Sequence, residues 1–231
     1  VQSFDTGLKE IKLLPDGDGV MSAQILADAA SDQAGNTSNA SSAVSVVIDT
    51  TQPSASITSA EIADGAFTND LSTRNFQANF VDANGLSAFD ATDPFDLVVV
   101  NATVANGTTK NSTNNFTVTP NGDGLVSLTI PSNAITDEAG NPNTGSSTYS
   151  FTVSTVRPDS ELNSSLAQNT ITNSTSIDFE AIFTNGISPY TGFDAIADIS
   201  VTNGTVSTAG ASGFDFFVEP DSDGHVVVQI N

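Results

Sequence analysis

Short runs of alternating apolar and polar residues follow one another along the whole chain. Residues 126–130 and 149–153 are two such runs, and each places its apolar side chains on one face. A period of two is the pattern of a β-strand with one buried face. Equivalent runs occur at Ile11/Leu13, Met21/Ala23/Ile25, Val44/Val46/Ile48, Phe76/Ala78/Phe80, Phe116/Val118 and Phe179/Ala181/Phe183. No stretch sustains a helical period, so the pattern predicts an all-β protein.

One stretch of sequence occurs twice in full and a third time in part. It begins at Pro15, Pro120 and Pro220 with the turn Pro-x-x-Asp-Gly, so its copies lie 105 and then 100 residues apart. In the two full copies a second motif, Asp-x-Ala-Gly-Asn, follows at residues 32–36 and 137–141. A period this long corresponds to one small domain per repeat and not to a solenoid unit of about 20–50 residues.

Two proline-containing stretches separate the copies. Residues 49–53 and 154–158 each follow the last strand of a copy and end in proline. Proline cannot extend a β-ladder and holds its predecessor extended, so both stretches are predicted to be short, stiff junctions. The predicted domains are residues 1–50, the C-terminal part of one repeat; 51–156, a complete repeat; and 157–231, the N-terminal part of another. We refer to them as the N-terminal, middle and C-terminal segments.

About seven short strands per 105 residues, separated by turn residues, is the pattern of an immunoglobulin-like sandwich. The predicted fold is therefore a series of tandem immunoglobulin-like β-sandwiches in an elongated array. Residues 98–104 are predicted to be one continuous strand, matched by residues 199–206. The predicted core of the middle segment comprises Phe76, Phe80, Phe116, Val126, Leu128, Tyr149 and Phe151.

Charge narrows the range of partners. Only 5 Lys and Arg residues stand against 27 Asp and Glu residues, which gives a net charge of −22 at pH 7. Such a surface repels nucleic acids and anionic lipid, so neither is predicted as a partner, but it suits calcium, which binds carboxylate and carbonyl oxygens. No apolar run reaches the roughly 18 residues of a membrane-spanning helix, so no membrane insertion is predicted. Cysteine is absent, which excludes disulfides and thiolate chemistry.

The order of motifs resembles that of bacterial immunoglobulin-like repeats. The matching motifs are Phe-x-Ala-x-Phe, Gly192-Phe193-Asp194, Asn203-Gly204-Thr205-Val206, Pro-x-x-Asp-Gly, Asp-x-Ala-Gly-Asn and the closing Asp-Thr-Thr-x-Pro. Such repeats occur in very long surface proteins, among them biofilm and host-cell adhesins, often of the calcium-rich, type I secreted kind. The resemblance covers the whole chain and implies an extracellular location at the cell surface. It also implies a structural spacer in an adhesin stalk, filament or layer, with neighbouring repeats, copies of itself or a cell-surface or matrix ligand as partners.

Two other functions stay open. An immunoglobulin-like unit could itself bind a glycan or a protein, for which Tyr190, near Pro189 and Phe193, is the aromatic candidate. The chain could also be an accessory module of a secreted enzyme. No active site is predicted within it, because the single histidine, His225, occurs in one copy alone and no phosphate-loop or metalloenzyme motif is present. Paired carboxylates for glycoside hydrolysis would need a cleft that thin sandwiches rarely have.

The two copies of Asp-x-Ala-Gly-Asn are the main metal candidates. Asp32 and Asn36 in the first copy, and Asp137 and Asn141 in the second, place an acidic side chain and an amide across a tight glycine turn. In an immunoglobulin-like sheet order this loop could approach the neighbouring junction, which contains Asp49. Calcium bridging the loop and the first junction is therefore the predicted cofactor. The alternative is an Asx turn with solvated carboxylates.

Other acidic groups have simpler interpretations. The paired turn residues are Asp16/Asp18, Asn121/Asp123 and Asp221/Asp223. They resemble a fragment of an EF-hand loop but lack its distal glutamate, so hairpin turns are favoured. For Asp90, Asp93 and Asp96, which surround Pro94 and Phe95, a solvated loop is favoured over an ion site.

Two asparagines at matching positions, Asn101 and Asn203, each begin an Asn-x-Thr sequon. They are predicted glycosylation sites if the source organism glycosylates its proteins. Asparagine followed by alanine or glycine also forms turns, which is the alternative role of both residues.

The alignment of the copies places the two ends of the chain inside repeats. Val1 corresponds to about Asn106, and Asn231 corresponds to Pro131. We therefore expect either a fragment of a longer polypeptide or partial repeats that complete one another between copies by donor-strand pairing. The positions expected to be covered by such strands are Ile11, Leu13, Val226 and Val228.

Overall fold

The computed structural model describes residues 12–106, 112–186, 189–207 and 214–231, and these form sixteen β-strands and one helix of four residues. The strands are β1 (Gly19–Ala23), β2 (Val44–Ile48), β3 (Ser54–Thr58), β4 (Ala66–Thr68), β5 (Arg74–Val81), β6 (Val98–Val100), β7 (Ala102–Asn106), β8 (Thr113–Pro120), β9 (Gly124–Thr129), β10 (Tyr149–Val153), β11 (Asp159–Ser164), β12 (Ile177–Thr184), β13 (Ile199–Thr202), β14 (Gly204–Ser207), β15 (Asp215–Pro220) and β16 (Val227–Ile230). The helix, α1, spans Ala195–Asp198. The prediction of an all-β protein is confirmed, although Ile11 lies outside the described residues.

The chain divides into two compact units. One comprises Val1–Ala66 with Leu71–Thr152, and the other comprises Phe67–Asp70 with Val153–Asn231. The described strands form three sheets of four strands and two of two strands. The predicted domain limits at residues 50 and 156 stay a prediction.

The middle segment contains two four-stranded sheets, with the orders β3-β5-β8-β7 and β4-β10-β9-β6. The antiparallel ladder between β5 and β8 places Phe76 opposite Phe116. Along β5 the side chains of Phe76, Ala78 and Phe80 are at most 2% exposed, whereas the intervening Gln77 is exposed. The period of two in the sequence therefore corresponds to one buried and one solvated face.

Aromatic rings form the centre of the middle segment's core. The Phe76 ring stacks on Phe116 and Phe151, at centroid distances of 5.8 and 6.2 Å, and meets Tyr149 edge-on at 5.5 Å. The core prediction is confirmed for six of its seven members, each at most 2% exposed: Phe76, Phe80, Phe116, Val126, Leu128 and Phe151. Tyr149 is only partly buried, and its hydroxyl donates a hydrogen bond to the Ile62 carbonyl.

The prediction of one continuous strand over residues 98–104 is wrong. The single residue Asn101 separates β6 from β7, and these two strands belong to different sheets. Asn101 has a φ of +55°, in the left-handed region that asparagine tolerates better than most residues. Asn203, with a φ of +60°, separates β13 from β14 in the same way, so residues 199–206 are also two strands. The chain therefore changes sheet at both asparagines.

The C-terminal segment repeats the strand order of the middle one. Its sheet β11-β12-β15-β14 corresponds to β3-β5-β8-β7, and β13 pairs with β16 as β6 pairs with β9. Its buried core consists of Ala181, Ala195, Ile199, Phe216 and Val218. The short helix α1 is capped by the Asp194 side chain, which accepts a hydrogen bond from the Ile196 amide.

The N-terminal segment is less buried than its sequence pattern predicts. In the described residues β1 and β2 pair only with each other, with Met21 opposite Val46. Val44, Val46 and Ile25 were predicted to lie on the buried face of a strand but are 71%, 47% and 62% exposed. The reason is that a two-stranded sheet has no second layer against which to bury a face.

Candidate metal centre

Both Asp-x-Ala-Gly-Asn motifs form the same small closed loop. In the middle segment, Asn141 donates from its backbone N to Oδ1 of Asp137 and from its Nδ2 to Oδ2, each at 2.8 Å. Gly140, between them, has a φ of +93°, which favours glycine. Asn36 makes the same two hydrogen bonds to Asp32, both at 2.9 Å. The Asx-turn geometry is therefore present in both copies, whether or not a metal binds.

The junction residue Asp49 lies directly beside the second of these loops. Its main-chain carbonyl accepts a hydrogen bond from Asn141 Nδ2 at 3.0 Å. Its carboxylate accepts one from Asn84 Nδ2 at 2.7 Å and one from the Thr51 amide at 3.0 Å. These bonds join the end of the N-terminal segment to two loops of the middle segment.

Three carboxylates meet at this point. One oxygen from each of Asp49, Asp82 and Asp137 lies within 4.8 Å of the other two. The Asp137 side chain is 5% exposed, and the other two are half-buried. Oδ1 of Asp82 accepts a hydrogen bond from the Asn84 amide at 2.8 Å, but its Oδ2 is buried without a hydrogen-bond partner. Like charges this close repel one another, and an unsatisfied buried acceptor is unfavourable.

A hard divalent cation fits this group of donors, which we call the carboxylate triad (Asp49, Asp82 and Asp137). Calcium binds about six to eight oxygen ligands at roughly 2.3–2.6 Å, and carboxylates are among its preferred donors. The triad offers oxygen ligands only, without the imidazole or thiolate that zinc favours. A cation here would cancel the mutual repulsion and satisfy the unpartnered Oδ2 of Asp82.

The two loops that carry Asp82 and Asp137 are held together by main-chain contacts. The Ser87 amide donates to the Thr136 carbonyl at 2.7 Å, and the Glu138 amide donates to the Asn84 carbonyl at 3.3 Å. Gly85 has a φ of +65°, and a Cβ at that position would lie 2.7 Å from the Glu138 side chain. The positive φ favours glycine at this position, and the Glu138 side chain would have to move to admit a larger residue.

Hydrogen bonding keeps Asp137 ionised. Burial alone would raise the pKa of its carboxyl group, but the side-chain and backbone hydrogen bonds from Asn141 and from the loop amides outweigh that effect. The pKa of Asp137 consequently lies below its ordinary value. At neutral pH the group is an anion and a competent metal ligand.

Sequence reasoning identified part of this site and missed the rest. Of the predicted ligands, the structure brings together Asp49, Asp137 and Asn141, while Asp32 and Asn36 remain in their own loop outside the triad. Asp82 and Asn84 were not predicted. Their signal was the sequence Asp82-Ala83-Asn84-Gly85 directly after β5, which is a typical polar turn at a strand end.

The acidic group in the middle segment forms a hydrogen-bonded loop. Asp96 Oδ2 accepts from the Asp90 amide at 2.9 Å, and Asp93 Oδ1 accepts from the Phe95 amide at 2.9 Å. Burial, followed by the neighbouring carboxylates, raises the pKa of Asp96. Asp198 Oδ2 accepts from the Asp194 amide in the same way. The recurrence of this bond in both segments favours a structural role over an ion site.

Asp18 shows what the acidic turns do. Its Oδ1 accepts hydrogen bonds from the amide and hydroxyl of Thr50, at 2.8 and 2.7 Å, and its Oδ2 accepts from the Thr51 hydroxyl at 2.6 Å. The Thr51 hydroxyl bond is the largest of the contributions that lower the pKa of Asp18. This turn therefore anchors the first junction, which agrees with a structural rather than an EF-hand role.

We expect acid to weaken this anchor. Because the pKa of Asp18 is lower in the folded chain than in the unfolded chain, the unfolded chain takes up the proton first as pH falls. The stability that Asp18 contributes is complete at neutral pH and should be lost as pH falls below about 4. In thermal melts from neutral to acidic pH, Asp18→Asn should thus lose less stability than the unmodified protein. Asp16→Asn, in the same turn, is the matched control. If the Asp18→Asn variant loses as much stability in acid as the unmodified protein does, Asp18 does not anchor the junction.

The two predicted glycosylation sites have structural partners. Asn101 Nδ2 donates to the carbonyls of Gly122 and Asp123, at 3.3 and 3.4 Å, and Asn203 Nδ2 donates to the Ser222 carbonyl at 3.0 Å. In each case the side-chain nitrogen to which a glycan would attach is hydrogen-bonded to a turn. For Asn101 this is the turn before β9, and for Asn203 it is the equivalent turn before β16. Glycosylation at these positions stays a prediction, and it would require those bonds to break.

The remaining candidates lie in the C-terminal segment. His225 is exposed and lies two residues before β16. Tyr190 is partly buried, with its hydroxyl bonded to the Asn185 carbonyl at 3.2 Å and its ring 5.9 Å from that of Phe183. It borders a groove of about 530 Å³ that also includes Phe193.

No protein-family model matches the chain, and no curated protein matches it significantly. Within the described residues, no helix is both long and apolar enough to cross a membrane.

Proposed function

We propose that the chain consists of structural spacer repeats of an extracellular surface protein, in the stalk of an adhesin or in a surface filament or layer. The observation that carries this proposal is the recurrence of one architecture. The sheets β3-β5-β8-β7 and β11-β12-β15-β14 have the same order, and the sheet change occurs at the equivalent residues Asn101 and Asn203. Successive copies of one fold in one chain give a protein whose length grows with the number of copies, which suits a spacer.

Each copy is an immunoglobulin-like sandwich in this proposal, and the copies form an elongated tandem array. The middle segment supports this fold because its two sheets match the division of strands in a constant-type domain. β3, β5, β8 and β7 correspond to strands A, B, E and D, and β6, β9 and β10 correspond to C, F and G.

Calcium is the proposed cofactor, bound by the carboxylate triad at the first junction. Asp49 belongs to the junction, whereas Asp82 and Asp137 belong to loops of the middle segment, so one ion would tie the two segments together. Ser154 occupies the position of Asp49 at the second junction. We therefore place the metal at the first junction only.

The proposal also includes a location at the cell surface and association with neighbouring repeats or further copies of the chain. The net charge of −22 keeps such a chain soluble and suits a medium that contains divalent cations. Its partners would be neighbouring repeats, further copies of the chain, or a cell-surface or matrix ligand.

Stretching single molecules by their ends tests the spacer role. A load-bearing repeat should resist force and then unfold in one step, which for about 105 residues at roughly 3.4 Å each lengthens the chain by about 300–350 Å. Calcium should raise the force needed to detach the N-terminal segment from the middle one, and a chelator should lower it. A chain that lengthens gradually, without a step of this size, would overturn the proposal.

A further inference from the structure

The chain contains five asparagine–glycine pairs, and one of them lies at the carboxylate triad. The pairs begin at Asn84, Asn106, Asn121, Asn185 and Asn203. Asparagine is a thermolabile residue. It deamidates most readily before glycine, because glycine has no side chain to hinder attack by its own backbone nitrogen. Which of these pairs reacts in the folded chain depends on how each one is held.

Deamidation requires two groups to approach each other. The amide nitrogen of the glycine attacks the side-chain carbonyl carbon of the asparagine, which closes a succinimide ring and releases the side-chain nitrogen as ammonia. Water then opens the ring and leaves either aspartate or isoaspartate, so the net change is one water consumed and one ammonia released. Hydrogen bonds that fix the asparagine side chain or occupy the glycine amide slow the attack.

The pair Asn84-Gly85 is free to react. Within the described residues, neither the side-chain carbonyl of Asn84 nor the amide of Gly85 makes a hydrogen bond. The Asn84 side chain is held at one atom only, Nδ2, which donates to Oδ2 of Asp49 at 2.7 Å. Gly85 is exposed, so water has access to a ring that forms there.

The pair Asn203-Gly204 is held much more firmly. Asn203 Nδ2 donates to the Ser222 carbonyl at 3.0 Å, and its Oδ1 accepts from the Ser222 hydroxyl at 2.7 Å. Gly204 begins β14, and a Cβ on it would lie 2.9 Å from the Val218 side chain and 3.0 Å from the Glu219 carbonyl. Both ends of the carboxamide and the glycine backbone are therefore fixed, and we expect the fold to protect this pair.

Asn84 also connects two of the three carboxylates of the triad. Its backbone amide donates to Oδ1 of Asp82 at 2.8 Å, and its side chain donates to Asp49. Its main-chain carbonyl accepts from the Glu138 amide at 3.3 Å. Deamidation would replace the Nδ2 donor by a negatively charged oxygen opposite the Asp49 carboxylate. Isoaspartate would also route the main chain through the side-chain carbon and displace both backbone hydrogen bonds.

We propose that Asn84 is a site of spontaneous deamidation, which adds a fourth carboxylate to the triad. Without a cation, the hydrogen bond from Asn84 to Asp49 becomes a repulsion between like charges, and the contact between the N-terminal and middle segments weakens. With a bound cation, the aspartate product supplies a further anionic oxygen of the kind that calcium binds. This second effect rests on the proposed calcium site, whereas the deamidation itself does not.

Peptide mass spectrometry measures the rate at each pair. The full chain is kept folded at mildly alkaline pH without calcium, and each asparagine is followed by the mass gain that accompanies exchange of an amide for a carboxyl group. Asn84 should deamidate at least several-fold faster than Asn203. In denaturant the two rates should become similar, because both pairs are then unprotected. Equal rates in the folded chain, or a faster rate at Asn203, would overturn the proposal.

The variant Asn84→Asp reproduces the aspartate product. Without calcium it should melt at a lower temperature than Asn84→Ala, which loses the same hydrogen bond without gaining a charge. Asn121→Asp places the same new charge before a glycine outside the triad and is the matched control, so it should melt at a higher temperature than Asn84→Asp. If Asn84→Asp melts no lower than Asn84→Ala, the new carboxylate does not repel the triad and the proposal fails.

Calcium distinguishes this proposal from the proposed function. Added calcium should reduce the difference in melting temperature between Asn84→Asp and the unmodified protein, because the ion neutralises the added charge. If calcium stabilises the unmodified protein but leaves that difference unchanged, the new carboxylate is not a ligand. If calcium shifts neither melting temperature, the proposed calcium site is refuted, while the deamidation rates and the calcium-free melts still decide the role of Asn84.

Discussion

Replacing Phe151 by alanine should lower the free energy of unfolding of the middle segment by about 3–5 kcal/mol, as truncation of a fully buried phenylalanine does in other cores. The Phe151 side chain is 1% exposed, its ring lies 6.2 Å from that of Phe76, and the Arg74 guanidinium carbon lies 5.7 Å from its centroid. Its loss would leave a cavity between the two sheets and remove a cation–π contact from a partly desolvated arginine. Domains of this size are stable by only about 5–15 kcal/mol, so this single change removes a large part of the total.

Denaturant unfolding followed by tyrosine fluorescence measures this effect. The chain has two tyrosines and no tryptophan, so a Tyr190→Phe background leaves Tyr149, which contacts the Phe76 ring, as the single reporter of the middle segment. Phe95→Ala is the matched control, because Phe95 is 81% exposed and its truncation should change stability by less than about 0.5 kcal/mol. Equal midpoints for the Phe151 and Phe95 variants would mean that the core assigned here is wrong.

The strands β5, β8, β9 and β10 of the middle segment could be predicted because one face of each is buried. A period of two has only one register that hides Phe76, Phe80, Val126 and Leu128 together, so the sequence pattern determines both strand and face. The same argument failed in the N-terminal segment. There the alternation at Val44 and Val46 is equally clear, yet no second sheet lies over it among the described residues. Alternation of apolar and polar residues predicts which face of a strand can be buried. Whether that face is buried depends on a second sheet that packs over it.

The sheet change at Asn101 could not be read from apolar periodicity. The residues on both sides of it are β-branched or small, and a single left-handed residue interrupts the strand without altering the pattern. The useful signal was the side chain itself. Asparagine combines tolerance of positive φ with an amide that can bond to a facing turn, and the same residue type stands at position 203.

The candidate metal site was partly predictable for a related reason. Asp137 and Asn141 belong to a local motif, and Asp49 belongs to a junction that the repeat spacing reveals. Asp82 is separated from Asp49 by 33 positions and from Asp137 by 55, and only the folded chain brings the three together. The residues around Asp82 predict a polar turn, but nothing in them indicates that this turn contacts Asp49 and Asp137. The unpartnered Oδ2 of Asp82 is visible only in the structure.

Calcium should raise the melting temperature of the protein, and chelation should lower it. A ligand that binds only the folded state stabilises it by about 2.7 kcal/mol at a concentration 100 times its dissociation constant. Binding at the triad would also tie the N-terminal segment to the middle one, so hydrogen exchange near Asp49 and Asn84 should slow when calcium is added. The absence of any calcium-dependent shift would exclude a calcium site in the folded chain.

The variant Asp82→Asn separates metal binding from simple charge repulsion, because the two predict opposite effects of the substitution on the melting temperature. Without calcium, the substitution removes one of three crowded negative charges and should leave the melting temperature unchanged or higher. With calcium, it removes an anionic ligand and should abolish most of the stabilisation seen in the unmodified protein. Asp32→Asn is the matched control, since Asp32 forms the same loop hydrogen bonds as Asp137 but lies outside the triad. It should respond to calcium as the unmodified protein does. If Asp82→Asn and Asp32→Asn gain equally from calcium, the ion binds elsewhere and the triad is only a cluster of acidic groups.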